Sequence, residues 1–162
     1  MKFLKPVKFY LIALFFIVIS NSVQAQITND ISHDEALKVL LTAKKNAEDS
    51  NVLVNIAVVD AGVNLKAFIR MDASFLGSID VAIKKAKTAR YFNIDTGKLG
   101  EVTQPGGIIY NIEHSNGGLM TFPGGIPIKN KEGKIIGAIG VSGGTIEQDR
   151  AIAIAGAASI IE

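Results

Sequence analysis

The stretch 134-KIIGAIGVSGGTIEQDRA-151 decides the fold, because a strand, a glycine-rich turn and a helix follow one another within it. Small and β-branched residues over 134–143 predict a central strand. Gly137 and Gly140 inside that strand indicate the close approach of another backbone or of a ligand. The residues after the turn are dominated by Ala and Ile and predict a last helix over 146–160.

The glycine-rich turn is open to two interpretations, a structural turn or a wall of a ligand site. Thr145 and Gln148 form the pattern of a capping box, in which each side chain satisfies the other residue's backbone N–H. The two acidic residues of the first helical turn suit the helix dipole and repel an anion. No lysine follows the glycines, as a phosphate-binding P-loop requires. We expect a structural turn, with Gly143 and Gly144 lining a pocket as the alternative.

The residues before this stretch predict a helix, a hairpin, a second helix, a long irregular loop and two further strands. Ser32 and Glu35 form another capping box, and Ser78 is the expected N-cap of the second helix. The predicted helices cover 32–49 and 78–93, and the predicted strands cover 52–60, 64–71, 119–122 and 126–130. Hairpin connections imply an antiparallel, five-stranded sheet with helices packed on it, in a single α+β domain.

The first 25 residues have the pattern of a secretory signal peptide. Three lysines among the first eight residues precede an apolar run over Phe9–Ile19, and Val23-Gln24-Ala25 offers a cleavage site. The alternative, an uncleaved anchor, is disfavoured because a spanning helix needs roughly 20 apolar residues. We expect cleavage after Ala25, no stable membrane insertion afterwards, and a mature domain over 26–162 in the periplasm or outside the cell.

Composition excludes several classes of function. The chain has 17 basic and 15 acidic residues, and loss of three lysines with the leader leaves 14 against 15, a net charge of −1. Such a balance predicts no pull toward nucleic acid. The chain has no cysteine, which excludes disulfides and thiolate nucleophiles, and it has only two histidines. A multi-histidine metal centre within one chain is therefore not expected.

Five segments together resemble the GlcG/HbpS-like haem-binding family, which also includes the C-terminal domain of some PduO proteins. They occur in family order and are 56-IAVVDAGVNLKAFIRMD-72, 77-GSIDVAIKKAKTARYF-92, 114-HSNGGL-119, 123-PGGIPI-128 and 135-IIGAIGVSGGTIEQD-149. The resemblance implies a profilin-like domain that assembles into dimers or larger rings. It also implies haem as the cofactor or ligand, although some members lie beside glycolate or diol metabolism.

Three side chains are candidate ligands of a haem iron. A neutral imidazole binds iron, and His114 lies in the long loop beside Glu113, whose carboxylate can orient such a ring. Tyr110 is a second candidate, because phenolate also ligates haem iron. His33 is a third, near the start of the first helix. For each of them the alternative is an ordinary exposed or hydrogen-bonded side chain.

Other residues are candidates for contacts with a ligand. Arg70 can clamp a carboxylate, although an Arg70–Asp72 surface pair is the alternative. Lys85 and Thr88 match the family pattern one helical turn apart, and a solvated helix face is the alternative there. The predicted ligand-binding set comprises Arg70, Met71, Asp72, Lys85, Thr88, Tyr110, Phe122, Gly124, Gly125, Gly143 and Gly144.

Three functions remain open from the sequence. The first is an exported, homo-oligomeric protein that binds haem or a related tetrapyrrole. The second is an enzyme that acts on a small hydroxy-acid-like substrate, held by Arg70, Asp72, Lys85 and His114, or one that degrades haem. The third is a structural oligomer without chemistry. No catalytic residue is assigned, since an acid–base set would need folding to bring distant carboxylates together.

Overall fold

The computed structural model describes residues 30–161. The predicted signal peptide, residues 1–25, lies outside the described residues, and the start of the mature domain stays a prediction. The helices and strands in chain order are α1 (His33–Asp49), β1 (Asn55–Asp60), β2 (Leu65–Arg70), α2 (Ser78–Phe92), α3 (Thr96–Gly100), a 3-10 helix (Ile112–His114), β3 (Gly125–Lys129), β4 (Ile135–Ser142) and α4 (Ile146–Ala158).

The described strands form one antiparallel sheet in the order β2-β1-β4-β3. Asn55, the first residue of β1, pairs with Arg70 at the end of β2 and with Ser142 at the end of β4. We call this end of the sheet the Asn55 end. The two segments that leave the sheet there, 71–77 and 143–145, therefore start close together.

Helices cover both faces of the sheet, which explains why β1 and β4 are apolar almost throughout. Ile56 and Val58 of β1 belong to the larger core beneath α1 and α4, whereas Ala57 and Val59 belong to a smaller core beneath α2. Successive side chains of a strand point to opposite faces, so one strand serves both cores. The prediction of an α+β domain with an antiparallel sheet is confirmed.

The sequence left open whether Gly140 of β4 faces another backbone or a ligand. In the structure, Gly140 lies directly against the backbone of a helix. A Cβ added there would overlap the carbonyl oxygen of Ala82 and the backbone nitrogen of Ala86, both in α2. Alanines on the facing side of α2 permit the same close packing. Gly140 therefore serves the approach of a helix to the sheet.

The predicted capping boxes are confirmed at the starts of α1 and α4. Glu35 N–H donates to Ser32 Oγ at 3.2 Å, and Ser32 N–H donates to the Glu35 carboxylate at 2.8 Å. Thr145 and Gln148 make the equivalent pair of bonds at α4. The predicted N-cap of α2 is wrong, because the helix already includes Ser78 and begins after Gly77 without a side-chain cap.

Four strands are described where five were expected, and the predicted strand at 119–122 is wrong. The N–H groups of Leu119 and Met120 bond to Glu113 O and Thr88 Oγ1, and the carbonyl of Phe122 accepts from Thr96 Oγ1. With these groups occupied, the segment cannot join a ladder of strand hydrogen bonds. The profilin-like arrangement stays an expectation.

The long loop contains two short helices that the sequence did not predict, α3 and the 3-10 helix. Asp95 caps α3 by accepting a hydrogen bond from Gly97 N–H at 2.8 Å. Within residues 30–161, no helix is long and apolar enough to cross a membrane.

Candidate functional site

A buried ion pair joins α2 to the first turn of α4. Lys85 is fully buried, and its Nζ donates to Asp149 Oδ2 at 2.8 Å and to the carbonyl of Val141 at 2.9 Å. Its Nζ also lies 4.7 Å from the centre of the Phe122 ring, within range of a cation–π contact. Burial is the largest influence on the pKa of Lys85 and lowers it, while Asp149 acts in the opposite direction.

The ion pair also fixes the glycine turn between β4 and α4. Asp149 is 3% exposed, and its second oxygen, Oδ1, accepts a hydrogen bond from Gly144 N–H at 2.9 Å. Gly124 leaves room for the pair, since a Cβ there would lie 2.7 Å from Lys85 Nζ and 3.1 Å from Asp149 Cβ. The carboxylate therefore holds both the ammonium and the turn, which is a positioning role.

The buried position of Lys85 differs from one of the two interpretations that the sequence allowed, a lysine on a solvated helix face. Its ammonium faces an internal carboxylate rather than solvent, so the solvated-face alternative is wrong for Lys85. The neighbouring Lys84 does lie on the surface side, and its Nζ pairs with Asp80 one helical turn earlier at 2.8 Å. The role of Lys85 toward an acidic ligand stays a prediction, and in this structure its partner is Asp149.

Two buried threonines fix the segment that carries Phe122 and its glycines. Thr88 Oγ1 accepts from Met120 N–H at 3.0 Å. Thr96 Oγ1 donates to the carbonyl of Phe122 at 2.9 Å and accepts from Gly125 N–H at 2.9 Å. Thr88, predicted as a ligand contact, thus bonds to backbone here, and Thr96 is a positioning residue that sequence reasoning missed.

His114 ends the 3-10 helix with an exposed side chain, and its imidazole makes no hydrogen bond among residues 30–161. The neighbouring Glu113 is anchored, because Thr121 Oγ1 donates to its Oε1 at 2.6 Å. That hydrogen bond is the main reason why the pKa of Glu113 lies below its ordinary value. The backbone that carries His114 is therefore held while the ring stays free to bind.

Exposed apolar side chains lie in the same loop as His114. Ile108 is 90% exposed and Tyr110 is 54% exposed. Burying such surface against a flat apolar partner stabilises the complex by roughly 25 cal/mol per Å². We call the segment 108–114 the histidine loop.

Three predicted residues, Arg70, Met71 and Asp72, line one groove at the Asn55 end. Arg70 and Asp72 form no salt bridge among the described residues, and Arg70 Nη2 donates to the carbonyl of Ser74 at 3.3 Å. The alternative of an Arg–Asp surface pair is therefore wrong. Gly143 and Gly144 line a neighbouring hollow at the same end.

The candidate residues fall into three groups, and the bond from Gly144 N–H to Asp149 joins the first to the third. One group surrounds the Lys85–Asp149 pair, another lies in the histidine loop, and a third lies at the Asn55 end. His33 stands apart as the exposed first residue of α1. Within residues 30–161, no three His, Asp or Glu side chains lie close enough together to hold a metal ion by themselves.

Comparison with known proteins places the chain in a family. The family described as "Haem degrading protein HbpS-like" matches residues 31–158, which include every described helix and strand. The chain belongs to the HbpS-like family. The resemblance indicated by the five sequence segments is confirmed.

Several HbpS-like relatives cover most of the described fold. The 15.0 kDa protein of the dhaT-dhaS intergenic region of Citrobacter freundii is 40% identical over 119 residues, 73% of this chain and 83% of that protein. Protein ORFY of Klebsiella pneumoniae has a solved structure with 34% identity and a TM-score of 0.78, covering 86% of this chain and 94% of that one. A PduOC:haem complex has 35% identity and a TM-score of 0.76, covering 81% and 95%.

Replacing Glu113 by Gln is expected to remove a pH-dependent part of the stability. Because folding lowers the pKa of Glu113, its carboxylate stabilises the fold above the ordinary glutamate pKa of about 4.3. That stabilisation is lost as the pH falls through the lower pKa of the folded state. The Tm of the wild type should exceed that of Glu113→Gln at pH values above the ordinary glutamate pKa, and the difference should shrink as the pH falls through the lower folded-state pKa.

The exposed Glu101, in the same long loop, supplies the control for this experiment. Glu101→Gln should follow the wild-type Tm across the pH range. A difference between the wild type and Glu113→Gln that does not change with pH would contradict the anchoring role of the carboxylate.

Proposed function

We propose that this protein binds haem or a related tetrapyrrole, and that His114 is the iron ligand. The observation that carries the proposal is the PduOC:haem complex, because it is 35% identical and this chain covers 95% of it. The membership in a family described by haem degradation supports the same ligand class. Binding, rather than a particular reaction, is the function proposed.

The histidine loop fits a haem in its chemistry. His114 offers an imidazole without a competing hydrogen bond among the described residues, and Ile108 and Tyr110 offer exposed apolar surface. A bound haem would supply an iron centre, for which a neutral imidazole is a common axial ligand. Anchoring of Glu113 by Thr121 lowers the conformational freedom lost when the loop binds a ligand.

Tyr110 and His33 remain the alternative iron ligands. Tyr110 lies four residues before His114 in the histidine loop, and its side chain is exposed as well. His33 has the same exposed imidazole chemistry but lies on α1. Comparing His114→Ala with His33→Ala therefore decides which of the two imidazoles binds the iron.

We further propose that the protein is exported and works as a homo-oligomer. The pattern of the first 25 residues supports export. Exposed Leu37 and Leu41 lie in a groove of about 680 Å³ on the outer side of α1, beside Ala155 of α4 and among charged and polar side chains of α1. Such surface favours contact with a second copy. Light scattering of residues 26–162 should give a mass above that of one chain.

A hemin titration of the purified protein, residues 26–162, tests the binding proposal. We expect the Soret band to shift and to saturate at about one haem per chain, as a single defined site requires. Absorbance that grows in proportion to added hemin, without saturation, would overturn the proposal. Saturation at the same stoichiometry with iron-free protoporphyrin would support a tetrapyrrole site in which iron ligation is dispensable.

A further inference from the structure

Two hollows at the Asn55 end share one wall and form a continuous surface. The wall is the segment 51–53, in which Leu53 is 47% exposed. The larger hollow, of about 610 Å³, extends to the end of β2 and the last turns of α1, and the smaller, of about 300 Å³, extends to the glycine turn before α4. Both volumes lie in the range of small-molecule sites, roughly 300–1,000 Å³.

The larger hollow combines apolar side chains with a cation that forms no ion pair within residues 30–161. Val52, Ile69 and Met71 line it together with Arg70. Lys44 and Glu48, also in the lining, form a salt bridge with each other, so their charges largely cancel. Within the part of the chain that the structure describes, the Arg70 side chain makes one hydrogen bond, to a backbone carbonyl, and keeps further N–H donors for a carboxylate.

Asp72 is the opposing charge in this hollow. It lines the same groove and forms no salt bridge among the described residues. It repels an anion, so a carboxylate must bind on the side of Arg70 away from Asp72. Removing the charge of Asp72 should therefore strengthen the binding of an anion.

Among residues 30–161, the lining of the smaller hollow contains no ionisable side chain, and its polar side chains are those of Asn51, Ser74 and Gln148. Phe75, which is 72% exposed, lines the smaller hollow together with Leu53 and Ala73. Gly143 and Gly144 have no side chains, so they contribute their backbone to the lining, which we call the floor of the hollow. The Lys85–Asp149 pair fixes that floor through the bond from Gly144 N–H to Asp149 Oδ1. A neutral, partly aromatic hollow suits a hydrocarbon chain.

We propose that the Asn55 end binds a medium-chain aliphatic carboxylate, with the carboxylate on Arg70 and the hydrocarbon chain across Leu53 into the hollow beside Phe75. The histidine loop contributes no side chain to either hollow. This site is therefore separate from the proposed haem site, and its test does not depend on haem binding.

Calorimetric titration with octanoate tests the proposal directly. We expect saturable binding of octanoate by the wild type, and at least about tenfold weaker binding by Arg70→Gln, because one charge-assisted pair is lost. Asp72→Asn should bind octanoate more tightly than the wild type. Lys66→Gln is the matched control, since Lys66 is a cation of the same strand that lines neither hollow, and its affinity should equal that of the wild type.

Uncharged and cationic analogues distinguish the proposal from simple apolar binding. 1-Octanol and octylamine should bind at least about tenfold more weakly than octanoate. Equal affinities for octanoate and 1-octanol, or unchanged octanoate affinity in Arg70→Gln, would overturn the proposal. Phe75→Ser should weaken octanoate while leaving the hemin titration unchanged, and loss of both would contradict the separation of the two sites.

Discussion

Replacing Asp149 by Asn is expected to lower the free energy of unfolding by about 3–5 kcal/mol, the largest effect of any single change considered. Asn keeps the size of the side chain and its Oδ1 can still accept from Gly144 N–H. It removes the negative charge beside the buried Lys85 ammonium, which donates to Asp149 at 2.8 Å and is shielded from water. Chemical denaturation with urea measures the change as a lower midpoint.

The double variant Lys85→Met/Asp149→Asn separates the lost pairing from lost packing. With the ammonium also removed, the double variant should be more stable than Asp149→Asn alone, which is the sign of direct coupling. Glu147→Gln, an exposed acid in the same helical turn, should remain within about 0.5 kcal/mol of the wild type. If the double variant lost as much stability as Asp149→Asn and Lys85→Met lose together when made singly, the ion pair would not couple the two residues.

Gly140→Ala is expected to cost about 2–3 kcal/mol, because the added methyl group has no free space. It would overlap the backbone of α2 at Ala82 and Ala86, so the helix must move away from the sheet. Lys85 lies in that stretch of α2, and its bond to Asp149 should lengthen as the helix moves. The predicted effect is therefore a lower Tm together with faster amide exchange at the start of α4.

Gly77→Ala is the matched control for this substitution. Gly77 has no atom within 4 Å of an added Cβ and its φ is negative, so an alanine fits there. Its stability should stay within about 0.5 kcal/mol of the wild type. If Gly140→Ala were as stable as Gly77→Ala, close packing of α2 on β4 would not be the reason for the glycine.

Local pattern predicted those parts of the fold that depend on neighbouring residues. The capping boxes at Ser32 and Thr145 involve side chains three residues apart, and both are present. The strand predicted at 119–122 failed because a strand depends on a partner, and its backbone groups instead bond to Thr88, Thr96 and Glu113. The spacing of residues within the segment 119–122 does not indicate any of these contacts.

Contacts between residues far apart in the chain also limit what the sequence could predict of the candidate sites. Arg70, Met71 and Asp72 are adjacent in the chain and were all predicted to contact a ligand, and the structure places the three in one groove. Lys85 and Asp149 are 64 residues apart in the chain. From its neighbours alone, Lys85 is interpreted as a lysine on a helix surface and Asp149 as an acidic residue near the start of a helix. The buried pair appears only when β4 brings the two helices together. Sequence alone also could not show that the histidine loop and the Arg70 groove are separate.

The most direct test of the central claim is hemin binding by the wild type, His114→Ala and His33→Ala, followed at the Soret band. We expect saturable binding by the wild type and by His33→Ala. His114→Ala should lose at least about tenfold in affinity and should lose the spectrum of an imidazole-ligated haem. An unchanged affinity and spectrum in His114→Ala would contradict the assignment of His114 as the iron ligand. Absence of saturable binding in the wild type would contradict the proposed function itself.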